Sequence, residues 1–110
     1  MTNLNNVVLE GNLVKDPELK YLSNGTPLCT FTVGVNRSWK QGDEWKEEAS
    51  FFDIQCWGKM AEGVANGLFK GKGVVVNGRL KQERWERDGK TFSKVLVVAS
   101  NVFPKERQDG

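Results

Sequence analysis

Five aromatic side chains, Trp39, Trp45, Phe51, Trp57 and Trp85, stand among polar and basic residues rather than in apolar runs. Arg37, Lys40, Lys59, Lys81, Arg84 and Arg87 are interleaved with them. Aromatic area left in water is costly unless something covers it. An unpaired nucleobase is a cover of the right kind, because every base has a π-face and stacking tolerates any sequence. The neighbouring cations would neutralise phosphates and release counterions. The bland alternative for any one ring is that it fills a subunit interface or caps a core, a reading that weakens when five such rings recur.

The charge is segregated. The net charge is only +2, yet the stretch from Lys70 to Lys94 holds eight bases (Lys70, Lys72, Arg79, Lys81, Arg84, Arg87, Lys90, Lys94) against Glu83, Glu86 and Asp88. From Asp43 to Asp53 there are five acids and one base. Such a split builds a local positive field on a nearly neutral chain.

Catalysis finds little support. There is no histidine, which removes the usual base near neutral pH and the commonest zinc ligand. No serine occupies a G-x-S-x-G elbow. The run from Gly67 to Gly73 is one residue short of a phosphate loop and lacks its Ser/Thr, so a turn is expected there. The acids of the Asp43–Glu48 stretch read as a solvated loop rather than a cation site. No metal and no cofactor is expected. Cys29 and Cys56 have no C-x-x-C partner and read as buried free thiols.

The elements that must hold these residues follow from periodicity. The 110 residues suit a single domain, expected over 1–104, with 105–110 as the start of a flexible tail. No membrane-length apolar run and no signal peptide are recognised, so a cytoplasmic protein is expected. A first strand is predicted from about Asn6 to Val14, with Val7, Leu9, Gly11 and Leu13 inward, ending before Asp16-Pro17. A short extended piece, Leu19 to Leu22, leads to an Asn24-Gly25 turn. A second strand, about Leu28 to Trp39, turns Cys29, Phe31, Val33 and Val35 inward, and a polar loop is expected from Lys40 to Ala49. The third, from Phe51 to Trp57, alternates: Phe52, Ile54 and Cys56 inward, Phe51, Asp53, Gln55 and Trp57 outward. Met60, Ala61, Val64, Ala65 and Leu68 then recur at helical steps. A fourth strand runs from Val74 towards Trp85, bent or bulged near Gly78. After an Asp88-Gly89 turn, a fifth spans Thr91 to Phe103.

Three strands, a helix and two strands is the order of an all-β OB-fold, a five-stranded Greek-key barrel with a small inserted helix. The chain also resembles the bacterial single-stranded DNA-binding protein (SSB) family over about Asn5 to Phe103. The residues that carry the resemblance are VVLEGNLVKDPELKYLSNG (Val7–Gly25), Ser38-Trp39, SFFDIQCWGKMAE (Ser50–Glu62), the glycine- and lysine-bearing run from Gly71 to Leu80, and Trp85. The resemblance implies an OB-fold that binds single-stranded DNA during replication, recombination and repair. It implies bases stacked on Trp39, Phe51, Trp57 and Trp85, while Trp45 matches no stacking position of the family. Phosphate contacts are expected from Lys20, Arg37, Lys59, Lys72, Arg79, Lys81, Arg84 and Arg87. A homotetramer is implied, with a dimer as the alternative, and Asn5, Val7, Leu9 and Phe52 are expected at its interface.

The sequence departs from the best-known members at several points. Phe51 and Trp57 exchange the ring types usual there, and Phe52 replaces a histidine important for tetramer assembly. Asp53 and Glu83 replace arginines, which weakens the positive field. The chain ends FPKERQDG, without the acidic and hydrophobic tip through which family members recruit replication and repair proteins. A shortened chain or a short relative is expected, and partner recruitment is assigned to none of these residues. Two other readings stand beside this one: an OB-fold replication accessory protein of primosomal type, usually a dimer, and a barrel whose aromatics meet a protein instead.

Overall fold

In the computed structural model, which describes residues 1–106, the alternating stretches pair into strands in the order β1 (Val7–Leu13), β2 (Glu18–Tyr21), β3 (Pro27–Gln41), β4 (Glu44–Trp57), β5 (Gly73–Arg87) and β6 (Lys90–Pro104). A single helix, α1 (Lys59–Gly67), lies between β4 and β5. Neighbours run β1-β5-β6-β4-β3-β2, and β1 also pairs with β3, so five strands close on themselves while β2 extends β3 outside the ring. The closing contact is short: Asn12 opposite Gly34 and Leu13 opposite Val33. A Cβ on Gly11 would collide with the Gly34 carbonyl and the Val33 side chain, so only glycine lets β1 approach β3 closely enough. The other unusual seam is parallel, with Ile54 beside Val97 and Gln55 beside Val98.

Inside the ring lie Leu13, Cys29, Phe31, Val33, Ile54, Cys56, Val74, Val76 and Val97, all essentially without solvent contact. The helix covers one end with Ala61 and Val64 buried, Leu68 buried just past its last turn, and Met60 and Ala65 packed beside them. This is the apolar face its periodicity predicts. Gly58 begins the helix at φ 68 without a side-chain cap, and Glu62 supplies the negative charge that a first turn favours. Both cysteine thiols are free and buried. Burial, and then the neighbouring Cys29 thiol, push Cys56 up to about 12.

Two arms project from the barrel, and the first differs from expectation. The predicted polar loop over 40–49 is strand almost to its tip: β3 and β4 stay paired from Leu28/Trp57 out to Gln41/Glu44, with Gly42-Asp43 as the turn. Gly42 takes φ 64 there. Arg37 faces Glu48, Trp39 faces Lys46 and Lys40 faces Trp45. The ribbon stands in solvent on both faces, so no apolar alternation marks it. Phe52 also departs from the inward position expected of it. It is opposite the buried Val33 yet 37% exposed, because β6 meets β4 only from Ile54 onward.

The second arm is the β5–β6 hairpin, turned by Asp88 (φ 52) and Gly89 (φ 76), the left-handed pair of a tight hairpin. The irregularity expected near Gly78 is present. Asn77 faces Asn101 while Gly78 faces Ala99, which leaves Ser100 of β6 as the extra residue.

Candidate nucleic-acid interface

The outer row of β4 is Phe51, Asp53, Gln55 and Trp57, about 20 Å from end to end at strand spacing. Both terminal rings stand in solvent, Phe51 at 64% and Trp57 at 38% exposure. Phe51 lies opposite Gly34, whose missing side chain leaves a flat floor: a Cβ there would sit 3.4 Å from the Phe51 ring. Trp57 is opposite Leu28, and Leu28 is opposite Lys20 of β2. Lys20 therefore shares the face of Trp57, and Lys59 follows two residues later at the exposed start of α1.

On β5, Arg79, Lys81, Glu83, Trp85 and Arg87 share one side, and their partners on β6 include Leu96, Lys94 and Phe92. The parallel seam brings this side onto the same outer surface as the β4 row. At the arm, Trp85 stacks on Phe92 with ring centroids 5.9 Å apart and 20° between planes. Sequence reasoning did not single out Phe92. The signal was available, because a two-residue Asp88-Gly89 turn fixes the register and makes position 92 the partner of 85.

Between the rings the surface is polar and largely self-neutralised. Lys94 Nζ lies 2.7 Å from Asp53 Oδ2, and the Thr32 hydroxyl donates to Asp53 Oδ1 at 2.8 Å. Lys94, together with Thr32, holds the Asp53 carboxyl below the usual carboxylate range despite partial burial. The Gln55 amide donates to Glu83 Oε1 at 3.3 Å. These residues line a cleft with Thr30, Lys15 and Leu96.

Other expected residues are distributed differently. Trp39 has the strand parity of the core residues Cys29, Phe31 and Val33, but lies beyond the barrel on the first arm, half-buried, with the Arg37 guanidinium 4.9 Å from its ring centroid. Arg37 also pairs with Glu48 at 3.7 Å. Trp45, read from the sequence as a loop residue, is a strand residue with the parity of Phe51 and Trp57. Arg84 has the opposite parity to Trp85 and donates to Gln82 at 2.9 Å. Lys72 lies in the turn before β5, where its carbonyl accepts from the Leu13 amide. Asn5 binds both the amide and the carbonyl of Leu80 at 2.9 and 2.8 Å, imitating one more strand residue beside β5. Val7 and Leu9 are half-buried against the core.

Residues 4–104 match the model of the single-strand binding protein family. The chain belongs to that family. A single-stranded DNA-binding protein of Treponema pallidum is 51% identical over 102 residues, which cover 93% of this chain and 58% of the relative. One from Aquifex aeolicus is 50% identical over 108 residues, covering 97% of this chain and 74% of the relative. The chain thus spans little more than half the length of the first of these and about three quarters of the second. Among solved structures, the Plasmodium falciparum SSB in complex with ssDNA superposes with a TM-score of 0.87 over 96% of this chain and 98% of that one. At 22% identity, that likeness establishes the shared OB-fold. Among the described residues, no helix is long and apolar enough to cross a membrane. Of the tail expected over 105–110, Lys105 is tied by its amide to the Gly73 carbonyl at 2.8 Å, and residues 107–110 lie outside the described part.

Proposed function

We propose that the chain binds single-stranded DNA without catalysing a reaction, stacking bases on exposed rings and holding phosphates with the cations beside them. The observation that carries this reading is the common outer surface of the Phe51–Trp57 row and the stacked Trp85–Phe92 pair. Lys20, Lys59, Arg79, Lys81 and Arg87 belong to that surface or its margin, while Trp39 with Arg37 offers a further ring and cation on the opposite side of the first arm. The names of the relatives agree with this chemistry. Protection of exposed strands during replication, recombination and repair is the role such binding would serve in the cytoplasm of a bacterium.

Assembly into a homotetramer, with a dimer as the simpler alternative, is part of the same proposal. Between Val7 and Glu10 the β3-side edge of β1 is unpaired among the described residues, and Val8 is 62% exposed beside it. An open edge with an apolar neighbour suits pairing with a second copy. Asn5, Val7, Leu9 and Phe52 border or approach that region. Recruitment of replication and repair proteins is assigned to none of the described residues.

Tryptophan emission titrated with an oligo-dT strand tests the function. Strong quenching at low salt is expected, with log affinity falling by about 0.7 per log salt for each phosphate neutralised. Trp57→Ala should weaken binding by about 1–3 kcal/mol while the barrel still folds. Unchanged emission, or an isotherm indifferent to salt, would reject the reading. A protein-binding barrel predicts that outcome. A dimer by native mass would instead favour the primosomal type.

A further inference from the structure

The outer row of β4 does not end at the barrel. Six residues separate Trp57 from Phe51, and six more lead back to Trp45, so three rings recur on one side of the strand at intervals of about 20 Å. Trp45 is 69% exposed, and it is not among the rings that the family resemblance places against bases. Lys40 lies directly opposite it on β3, with about 5 Å between Cβ atoms at such a pair. Its amine has no ion-pair partner among the described residues.

The first arm is sided in charge as well as in rings. Glu44 and Glu48 fall on the side away from Trp45, where Lys46 and Arg37 neutralise them at 2.9 and 3.7 Å. Trp39 is on that side too. From Trp45 towards Phe51 the other side holds short residues, Ser38, Asn36, Gly34 and Ala49, and a single acid, Glu47. No bulky side chain interrupts the way between the two rings. A two-stranded ribbon twists along its length, so this side winds about the arm, and an unpaired strand is supple enough to wind with it. We propose that Trp45 is a further base-stacking residue, with Lys40 holding the adjoining phosphate, so that the single-strand site continues from Phe51 out to the tip of the first arm. An indole at the end of a solvated ribbon has no core to cover, and a base laid on it removes that area from water. The inference rests on the reading of the chain as a single-strand binder and lengthens the surface which that reading uses.

The experiment measures affinity for a dye-labelled oligo-dT long enough to span the roughly 40 Å from Trp57 to Trp45, by anisotropy of the dye, because the variants themselves alter tryptophan emission. Trp45→Ala should weaken binding by about fivefold or more, the lower end of what one stacked base supplies. Trp45→Phe should recover most of the loss and Trp45→Leu little of it, since leucine offers bulk without a π-face. Lys40→Ala should reduce the slope of log affinity against log salt by about 0.7, the share of one phosphate. Native mass should be the same for wild type and Trp45→Ala. Wild-type affinity in Trp45→Ala overturns this inference alone. Recovery by Trp45→Leu as full as by Trp45→Phe overturns the stacking, and a changed native mass would move the ring to a contact between copies of the chain. An unaltered salt slope in Lys40→Ala overturns its phosphate contact. Failure of the wild type to bind oligo-dT overturns the proposed function and this inference with it.

Discussion

Phe92 lies flat against Trp85, 5.9 Å between centroids, at the outer end of the β5–β6 arm. The two rings come from directly opposed residues of the hairpin. The indole is supported from within the chain yet remains 45% exposed, so ring area is left on which a base would stack. An aromatic pair of this kind adds about 0.5–1.5 kcal/mol beyond area burial. Phe92→Ala should leave the barrel folded and weaken single-strand binding by about that amount, less than Trp85→Ala. Red-shifted, more mobile Trp85 emission in Phe92→Ala would report the lost support, and unchanged affinity would reduce Phe92 to a bystander.

Asp53 makes two separate predictions. It restrains Lys94, so Asp53→Asn should release that amine to a phosphate, raise affinity and steepen the salt slope by about 0.7. Its lowered pKa also fixes the sign of a stability effect. Lys94 and Thr32 favour the ionised form in the folded chain, so the contribution is full above the unfolded value of 3.8 and is lost as pH falls through the lower folded value. The stability gap between wild type and Asp53→Asn should therefore be widest at neutral pH and close on acidification below about pH 4. Urea midpoints across that range measure it, and a gap independent of pH would separate Asp53 from acid unfolding.

The core cysteines should be silent to alkylation. With Cys56 pushed up to about 12 and both thiols buried, almost no thiolate is present or reachable at mildly alkaline pH. Iodoacetamide followed by mass analysis should find both residues unmodified in the folded chain and both modified in urea. Rapid labelling without denaturant would mean that the end of the barrel opens easily.

A stabilising change is available in α1. An added Cβ at Gly63 meets nothing within 4 Å. Gly63→Ala should therefore raise stability by about 0.5–1 kcal/mol through helix propensity and a less disordered unfolded chain, without touching the stacking surface. Denaturant midpoints would show it, and a lower midpoint would mean that the groove beside Val102 and Pro104 needs the space.

Strands, helix and core were legible because one-sided burial writes period two or period three-to-four into the chain. The barrel order followed, as did the glycine turn of the second arm and the outward parity of Phe51, Trp57 and Trp85. The first arm was not legible. From Lys40 to Ala49 neither face is buried, so the stretch reads as a polar loop, and Trp45 was placed in a loop with it. Phe52 carries inward parity, yet its cover depends on where β6 begins to run beside β4, which only the three-dimensional register decides. Trp39 shares the same lesson: parity identifies a side of the strand, but beyond the barrel that side no longer means interior. The Asp53–Lys94 pair joins residues from separate hairpins, and no local spacing announces it.

The pairing of β1 with β5, Val7 opposite Gly78, has a bearing on how the molecule comes into being. The two arms are contiguous in sequence and can zip as soon as each has been synthesised, whereas the first strand has no main partner until some seventy residues more have left the ribosome. During that interval its apolar edge is an orphan among other nascent chains. Assembly of the ring is then the slow and vulnerable moment of biogenesis, and lesions at Gly11, where β1 slides under β3, should appear first as poor soluble yield rather than as poor grip on a strand.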